Sequence, residues 1–332
     1  AITDIENTTT AGNLTFTRLV DSSTNSITVS AQDDVAGSDG ATAFGTLSIA
    51  NEETVTLVSG SNAAETLTIT TLTATDATSV TMTGTANVAV TGNVTSAVNL
   101  ATVDASGVAG TAEFHATGAT ANITATASTG AFEFTGGGGS DTITGGAAAD
   151  ILIGGAGSDT ITGGAGADEI TGGTGLDTLT GGAGADSFNN AVGVLGANIT
   201  DFTPLAGGDV LEYTGAGTAV AGTWTEMTWA DQATGSIANG EVIGITGRTA
   251  IDVSGNDAAD LAVFNATLCG GSDEAAGNAE IILVINADKD GDGGVDAIQA
   301  YGLHNTGGGN SAFNASFLMA EFTNMASDSD LA

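Results

Sequence analysis

Residues 136–189 read GGGGSDTIT (136–144), GGAAADILI (145–153), GGAGSDTIT (154–162), GGAGADEIT (163–171), GGTGLDTLT (172–180) and GGAGADSFN (181–189), six consecutive nine-residue copies without an insertion. The sixth position is always aspartate (Asp141, Asp150, Asp159, Asp168, Asp177, Asp186) and the eighth always apolar (Ile143, Leu152, Ile161, Ile170, Leu179, Phe188). A fixed short period of this kind marks a solenoid, in which each repeat buries its apolar side chain only by stacking on its neighbours. The glycine half of each copy predicts a turn, and the other half a short strand with one inward side chain.

The chemistry of the turn follows from its composition. Glycine reaches φ > 0 without steric cost, so the backbone of residues such as Gly137, Gly139, Gly155, Gly157, Gly164, Gly166, Gly173 and Gly175 can turn its carbonyl oxygens toward one point. Aspartate adds an anionic oxygen, and a shell of six or more hard oxygens suits Ca²⁺ better than Mg²⁺, which demands a stricter octahedron. If two nonapeptides form one coil, the aspartates sort into two columns, Asp141, Asp159, Asp177 and Asp150, Asp168, Asp186, with metal between stacked turns. Ala148 replaces the fourth-position glycine in the second copy, so the turn that contains it departs from the pattern. A metal-free roll is the competing expectation, and magnitudes oppose it. Fixing each glycine costs roughly 0.5–1 kcal/mol more than alanine, and carboxylates stacked about 5 Å apart repel by about 3 kcal/mol at an effective dielectric near 20. The pattern resembles the calcium-binding nonapeptide, G-G-x-G-x-D-x-U-x, of RTX proteins, a resemblance that implies a calcium β-roll with these aspartates and glycines as its ligands.

Outward from the repeat the signal changes. Counting back in nines, AGTAEFHAT, GATANITAT and ASTGAFEFT place Phe114, Ile123 and Phe132 where aspartate would stand. Further upstream, TVTLV from Thr54, TLTIT from Thr66, SVTMT from Ser79 and NVAVT from Asn87 alternate apolar with small polar residues, the period of a strand. The fold expected is all-β: an N-terminal β segment (1–44), a metal-free irregular β-helix (45–135), the calcium β-roll solenoid (136–189) and a C-terminal β-rich cap and assembly region (190–332). A separate β-sandwich over residues 1–100 is the alternative.

After Asn190 the composition shifts to aromatic residues, and NITDFTPLAGGDVLEY (198–213) resembles the element that caps RTX rolls and hides their open edge. EIILVIN, from Glu280, then leads into ADKDGDGGVDAIQAYGL. There Asp288, Asp290, Asp292 and Asp296 resemble a D-x-D-x-D-G calcium loop. Gln299 stands where an EF-hand would carry glutamate, and the flanks read as strands, so a β-hairpin with calcium at its tip is expected; an acidic turn without metal is the alternative. A similar hairpin and an acidic end, here MASDSDLA (325–332), occur in RTX proteins exported by type I secretion. The Thr/Ala/Val-rich helix running into the roll most resembles the lattice-forming part of Caulobacter-type surface-layer proteins.

Net charge bounds the function. With 39 acidic residues against Arg18, Arg248 and Lys289, the formal charge of the 332-residue chain is −36, which excludes nucleic-acid binding and direct docking on an anionic membrane. The longest apolar run, near Ile281–Ile285, is far short of the ~20 residues of a spanning helix, so no direct membrane insertion is expected. Cys269 has no intrachain partner and reads as a small buried thiol. There is no H-E-x-x-H, no G-x-S-x-G and no P-loop. His115 reads as an outward strand residue and His304 as a loop residue. An enzyme is therefore not expected, although a glycan-cleaving carboxylate pair could hide among so many acids. The expectation is an extracellular, bacterial cell-surface protein, a calcium-driven surface-layer or filament subunit. Its partners would be copies of itself and, through calcium, surface polysaccharide. A type I-secreted adhesin is the alternative. If the nine-residue phase continues upstream, Phe114, Ile123 and Phe132 should be buried in the line of Ile143 and Leu152.

Overall fold

The computed structural model describes residues 12–17, 24–31, 41–94, 97–127, 129–191, 197–202, 208–214, 224–228, 242–246, 251–252, 280–288, 297–304 and 315–322. Among these there is no helix, and the strands form a parallel β-solenoid followed by further strands that include an antiparallel meander. The chain divides into two compact units, residues 1–177 with 181–186, and residues 178–180 with 187–332.

In the first unit the chain alternates between two sheets. One takes β1 (Gly12–Thr17), β3 (Thr42–Ala50), β5 (Leu67–Ala74), β7 (Val88–Val90), β9 (Ala112–His115), β11 (Phe132–Thr135), β13 (Ile151–Ala156) and β15 (Glu169–Thr174), in that spatial order. The other takes β2 (Ser26–Ser30), β4 (Thr54–Val58), β6 (Ser79–Gly84), β8 (Thr102–Val108), β10 (Thr124–Thr126), β12 (Thr142–Gly146) and β14 (Thr160–Ala165). Their described pairings are parallel, from β1 with β3 and β2 with β4 onward. Strands within residues 12–94 are thus coils of the solenoid and do not form a sandwich.

The register shows how the solenoid is built. Ser26 lies beside Thr54, Thr54 beside Ser79, Ser79 beside Thr102, Thr102 beside Thr124, Thr124 beside Thr142 and Thr142 beside Thr160, so successive coils take 28, 25, 23, 22, 18 and 18 residues. Along this outer file every residue carries a hydroxyl. The next file, Thr28, Thr56, Thr81, Asp104, Thr126, Thr144 and Thr162, has one exception. β-Branched threonine fits a pleated, half-exposed surface, and cross-strand threonine pairs add favourable contacts. Inward, Val55, Val80, Val103, Ala125, Ile143 and Ile161 form one buried line, and Ile69, Val90, Phe114, Phe134, Leu152 and Ile170 form the facing one.

Phe114, Ile123 and Phe132 are all buried, but they do not share one line. Phe114 pairs with Phe134, which pairs with Leu152, so it stands in the leucine line. The coil from β9 to β11 holds 20 residues, Glu113 lying beside Glu133, so the nine-residue count slips by two before it reaches Phe114. Ile123 and Phe132 keep the 18-residue step and stand below Asp141 and Asp150, where they replace the carboxylates and not the inward aliphatics. Phe132 packs against Phe134 with ring centroids 5.4 Å apart, and these aromatics fill the coils where the solenoid narrows.

In the second unit, Thr178 and Leu179 pair with β18 (Ala197–Ile199), and β17 (Ser187–Ala191) pairs in parallel with β19 (Val210–Thr214). The segment expected to cap the roll therefore contains β18 and β19, with Phe188 and Phe202 6.0 Å apart beside them. β20 (Trp224–Thr228) pairs with β21 (Val242–Thr246), and β21 and β22 (Ile251–Asp252) pair with β23 (Glu280–Asp288). β23, β24 (Ala297–His304) and β25 (Ala315–Phe322) form an antiparallel meander, and β25 joins β18 in parallel. His304 is the last residue of β24 and not a loop residue, because its backbone pairs with Glu280 and Ala315. Cys269, Arg18, Arg248 and Lys289 lie outside the described residues.

Phe134 is wholly buried between Phe114 and Leu152. Its truncation leaves a cavity where no neighbouring coil can collapse, so Phe134→Ala should lower stability by about 3–5 kcal/mol, read from urea unfolding in saturating calcium.

Candidate metal centre

The six aspartates are buried, each at 3% exposure or less, and they stack in the two expected columns. In each, Oδ1 accepts a backbone N–H from the coil before: Ile123 to Asp141 at 2.8 Å, Asp141 to Asp159 at 2.7 Å and Asp159 to Asp177 at 2.9 Å. The second column repeats this, Phe132 to Asp150 at 2.7 Å, Asp150 to Asp168 at 2.8 Å and Asp168 to Asp186 at 2.9 Å. One carboxylate oxygen is thus committed to closing the coil.

In the middle turns the other oxygen is left over, whereas Asp141 Oδ2 accepts the Gly137 N–H at 3.3 Å. Oδ2 of Asp150, Asp159 and Asp168 is buried without a hydrogen-bond partner, a costly arrangement for an anion unless a cation meets it. Beside each of these oxygens lies the first glycine of the same copy. A Cβ on Gly145 would land on Asp150 Oδ2 and the Gly163 carbonyl, one on Gly154 on Asp159 Oδ2 and the Gly172 carbonyl, and one on Gly163 on Asp168 Oδ2 and the Gly181 carbonyl. Carboxylate and next-coil carbonyl oxygens therefore converge on a space that only glycine leaves open. An oxygen-only donor set of this kind fits Ca²⁺.

Burial pushes the carboxyls of Asp150 and Asp159 up to about 6. The like charge of Asp168 adds to the rise for Asp150, and those of Asp177 and Asp141 for Asp159, against the lowering effect of the backbone hydrogen bonds. Asp141, Asp168 and Asp177 are raised by the same burial. The metal-free roll thus resists the ionisation that a metal requires, and a bound cation reverses that preference.

The glycine pairs at positions two and four separate into two kinds. Gly155 and Gly157, Gly164 and Gly166, Gly173 and Gly175, and Gly182 and Gly184 all have φ between 104° and 149°. Gly137 and Gly139, in the first turn, are not left-handed, nor is Ala148 in the second. The first turn stacks on the Ala116–Ala119 turn, which holds Gly118 but lacks a left-handed glycine pair, with Gly138 donating to the Ala119 carbonyl at 2.8 Å and the Ser140 N–H to Asn122 Oδ1 at 3.0 Å. The second carries a Cβ where a left-handed residue would cost about 1–2 kcal/mol. The six turns are therefore not equivalent in backbone conformation, the first lacking the left-handed glycines of the later ones. The first-position glycines were not singled out as ligand-shaping residues from sequence, though their invariance across the six copies is the signal. Asp288 closes β23, while Asp290, Asp292 and Asp296 lie outside the described residues.

With this geometry established, the comparison with known families is specific. The model of the RTX calcium-binding nonapeptide repeat (4 copies) matches residues 135–170 and again 162–193. No curated protein matches the chain. The chain thus carries RTX repeats, and calcium is the ion that such repeats bind.

Two outcomes follow. Gly163→Ala should abolish calcium uptake by the turns around Asp168 and lower the total number of bound ions in equilibrium dialysis, while leaving residues upstream of 135 folded. In pH titration, the folded carboxyls of Asp150 and Asp159 titrate near about 6 against 3.8 for the unfolded chain. The metal-free roll is therefore destabilised at neutral pH, and this penalty is relieved as pH falls through about 6 toward 3.8. Calcium affinity should fall over the same window, because protons compete for the same oxygens.

Proposed function

We propose that this chain is an extracellular structural subunit of a bacterial surface layer or filament, without enzymatic activity, whose roll folds and whose copies associate when calcium is bound. The observation that carries the reading is the stack of buried carboxylates, with Oδ2 of Asp150, Asp159 and Asp168 partnerless, in a chain of net charge −36. Lys and Arg number only 3, so the chain cannot neutralise itself, and neither folding of the roll nor close packing of copies is favourable until external cations arrive. Where free calcium is sub-micromolar the roll stays open and the chain suits export through a type I system. At the ~10⁻⁴–10⁻³ M range of extracellular calcium modules the roll closes. Each ion then cancels two charges, and association with further copies or with anionic surface polysaccharide becomes possible. The parallel solenoid of the first unit, its outer file of hydroxyls and the resemblance to the lattice-forming part of Caulobacter-type proteins support a structural role over an adhesin.

The test titrates calcium into chelated full-length protein while following circular dichroism, light scattering and electron microscopy. The expected result is a gain of β signal over residues of the roll, then ordered arrays, both reversed by chelator. Ordered assembly in chelator would overturn the proposal. A calcium-folded protein that stays monomeric at millimolar calcium yet binds cells would identify an adhesin instead.

A further inference from the structure

Among the described residues outside the roll, one cluster of metal-ligating side chains stands on the outer face of β9 and β11. Glu113 and Glu133 are direct neighbours in the parallel ladder, and His115 is the neighbour of Thr135. His115 Nε2 lies 3.1 Å from Glu113 Oε1 and 3.9 Å from Glu133 Oε1, and one donor atom from each of the three residues falls within 4.8 Å of the others. All three are half-buried.

Like charges directly opposite one another in a ladder are destabilising. The file that holds these two glutamates runs Ala89, Glu113, Glu133, Ile151, so neither adjoining strand supplies a counter-charge in that file. The chain has three Lys and Arg residues and two histidines in all, and one of those histidines stands beside this carboxylate pair. Its ring is oriented from behind: Nδ1 lies 3.1 Å from Thr135 Oγ1. With the proton on Nδ1 donated to Thr135, the Nε2 lone pair faces the two carboxylates, and three electron-rich atoms converge on one point. With the proton on Nε2, the ring satisfies Glu113 and leaves the Glu113–Glu133 repulsion in place. With both nitrogens protonated the ring supplies one positive charge against two carboxylates, whereas a divalent cation at the convergence point balances both, and the hydroxyl behind the ring then plays the orienting part that outer hydrogen bonds play for metal-bound imidazoles.

We infer that Glu113, His115 and Glu133 form a second metal site, chemically distinct from the calcium turns, that binds a divalent transition ion of the Zn²⁺ class with water completing the shell. The imidazole nitrogen decides the class: Ca²⁺ and Mg²⁺ take oxygen ligands, whereas one nitrogen and two carboxylates suit zinc and its neighbours. The pairing of the glutamates depends on the 20-residue coil at this point in the solenoid, one coil before the repeat becomes 18 residues long.

The experiment uses the full chain in millimolar calcium, so that oxygen-only sites are saturated, with Zn²⁺ titrated by calorimetry and Co²⁺ as the absorption probe. One site should appear in the wild type, with a Co²⁺ visible spectrum. It should survive His304→Ala and weaken by about tenfold or more in His115→Ala and in Glu133→Gln. If His115→Ala changes the circular dichroism, the near-isosteric Glu113→Gln/Glu133→Gln pair carries the test. Equal Zn²⁺ affinity and an unchanged Co²⁺ spectrum in a folded variant would overturn the site, as would no Zn²⁺ uptake by the wild type.

Discussion

Carboxylates held one above another inside a coil are the constraint on which the rest of this protein depends. Each roll aspartate spends Oδ1 on the backbone N–H one coil earlier, a bond that fixes the 18-residue step. In Asp150, Asp159 and Asp168 that leaves Oδ2 facing a space bounded by glycine and the next coil's carbonyl. The hydrogen bond builds the column and the leftover oxygen makes it unstable alone. Structure and metal requirement are therefore one feature, since the side chain that sets the register also creates the charge that a cation must meet.

The solenoid moves from one means of cohesion to another along its length. In coils of 22 to 28 residues there is room for loops and for buried aliphatics beyond the two continuous lines, such as Leu57 and Met82, and hydrophobic burial of about 1.5–3 kcal/mol per large side chain sustains them. At 18 residues the coil has room for one inward aliphatic per nonapeptide, and the position below the strand changes from Ile123 and Phe132 to aspartate. Phe114, Phe132 and Phe134 occupy this transition and give the first metal-dependent coils a firm apolar base. Gly137, Gly139 and Ala148, in the two turns that meet the metal-free segment, lack the left-handed pair found in later turns.

How much of this was legible in the sequence depends on spacing. The two aspartate columns follow from a period of nine and two strands per coil, so the identity of stacked partners could be counted. The upstream coils could not be counted, because their loops vary: a two-residue difference moves Phe114 from the expected carboxylate position into the leucine line. The role of first-position glycines, such as Gly154 and Gly163, is set jointly by the aspartate five residues on and by a carbonyl 18 residues on in the next coil, and the second contact exists only once the coils stack. Alternation marked His115 as outward, yet its place beside Glu113 and Glu133 appears only once the 20-residue register is known.

The roll turns and the β9–β11 face share a logic that the composition makes unavoidable. Parallel stacking places equivalent positions of successive coils beside one another, so an acidic residue that recurs in register becomes a row of like charges. A chain with abundant lysine or arginine could interleave them, as ordinary sheets do; this chain has three such residues and 39 acids. Neutralisation must therefore come from ions, and the donor atoms in each row decide which ion enters. Turns that present only oxygen select calcium, and a strand face that adds one imidazole nitrogen selects a softer metal.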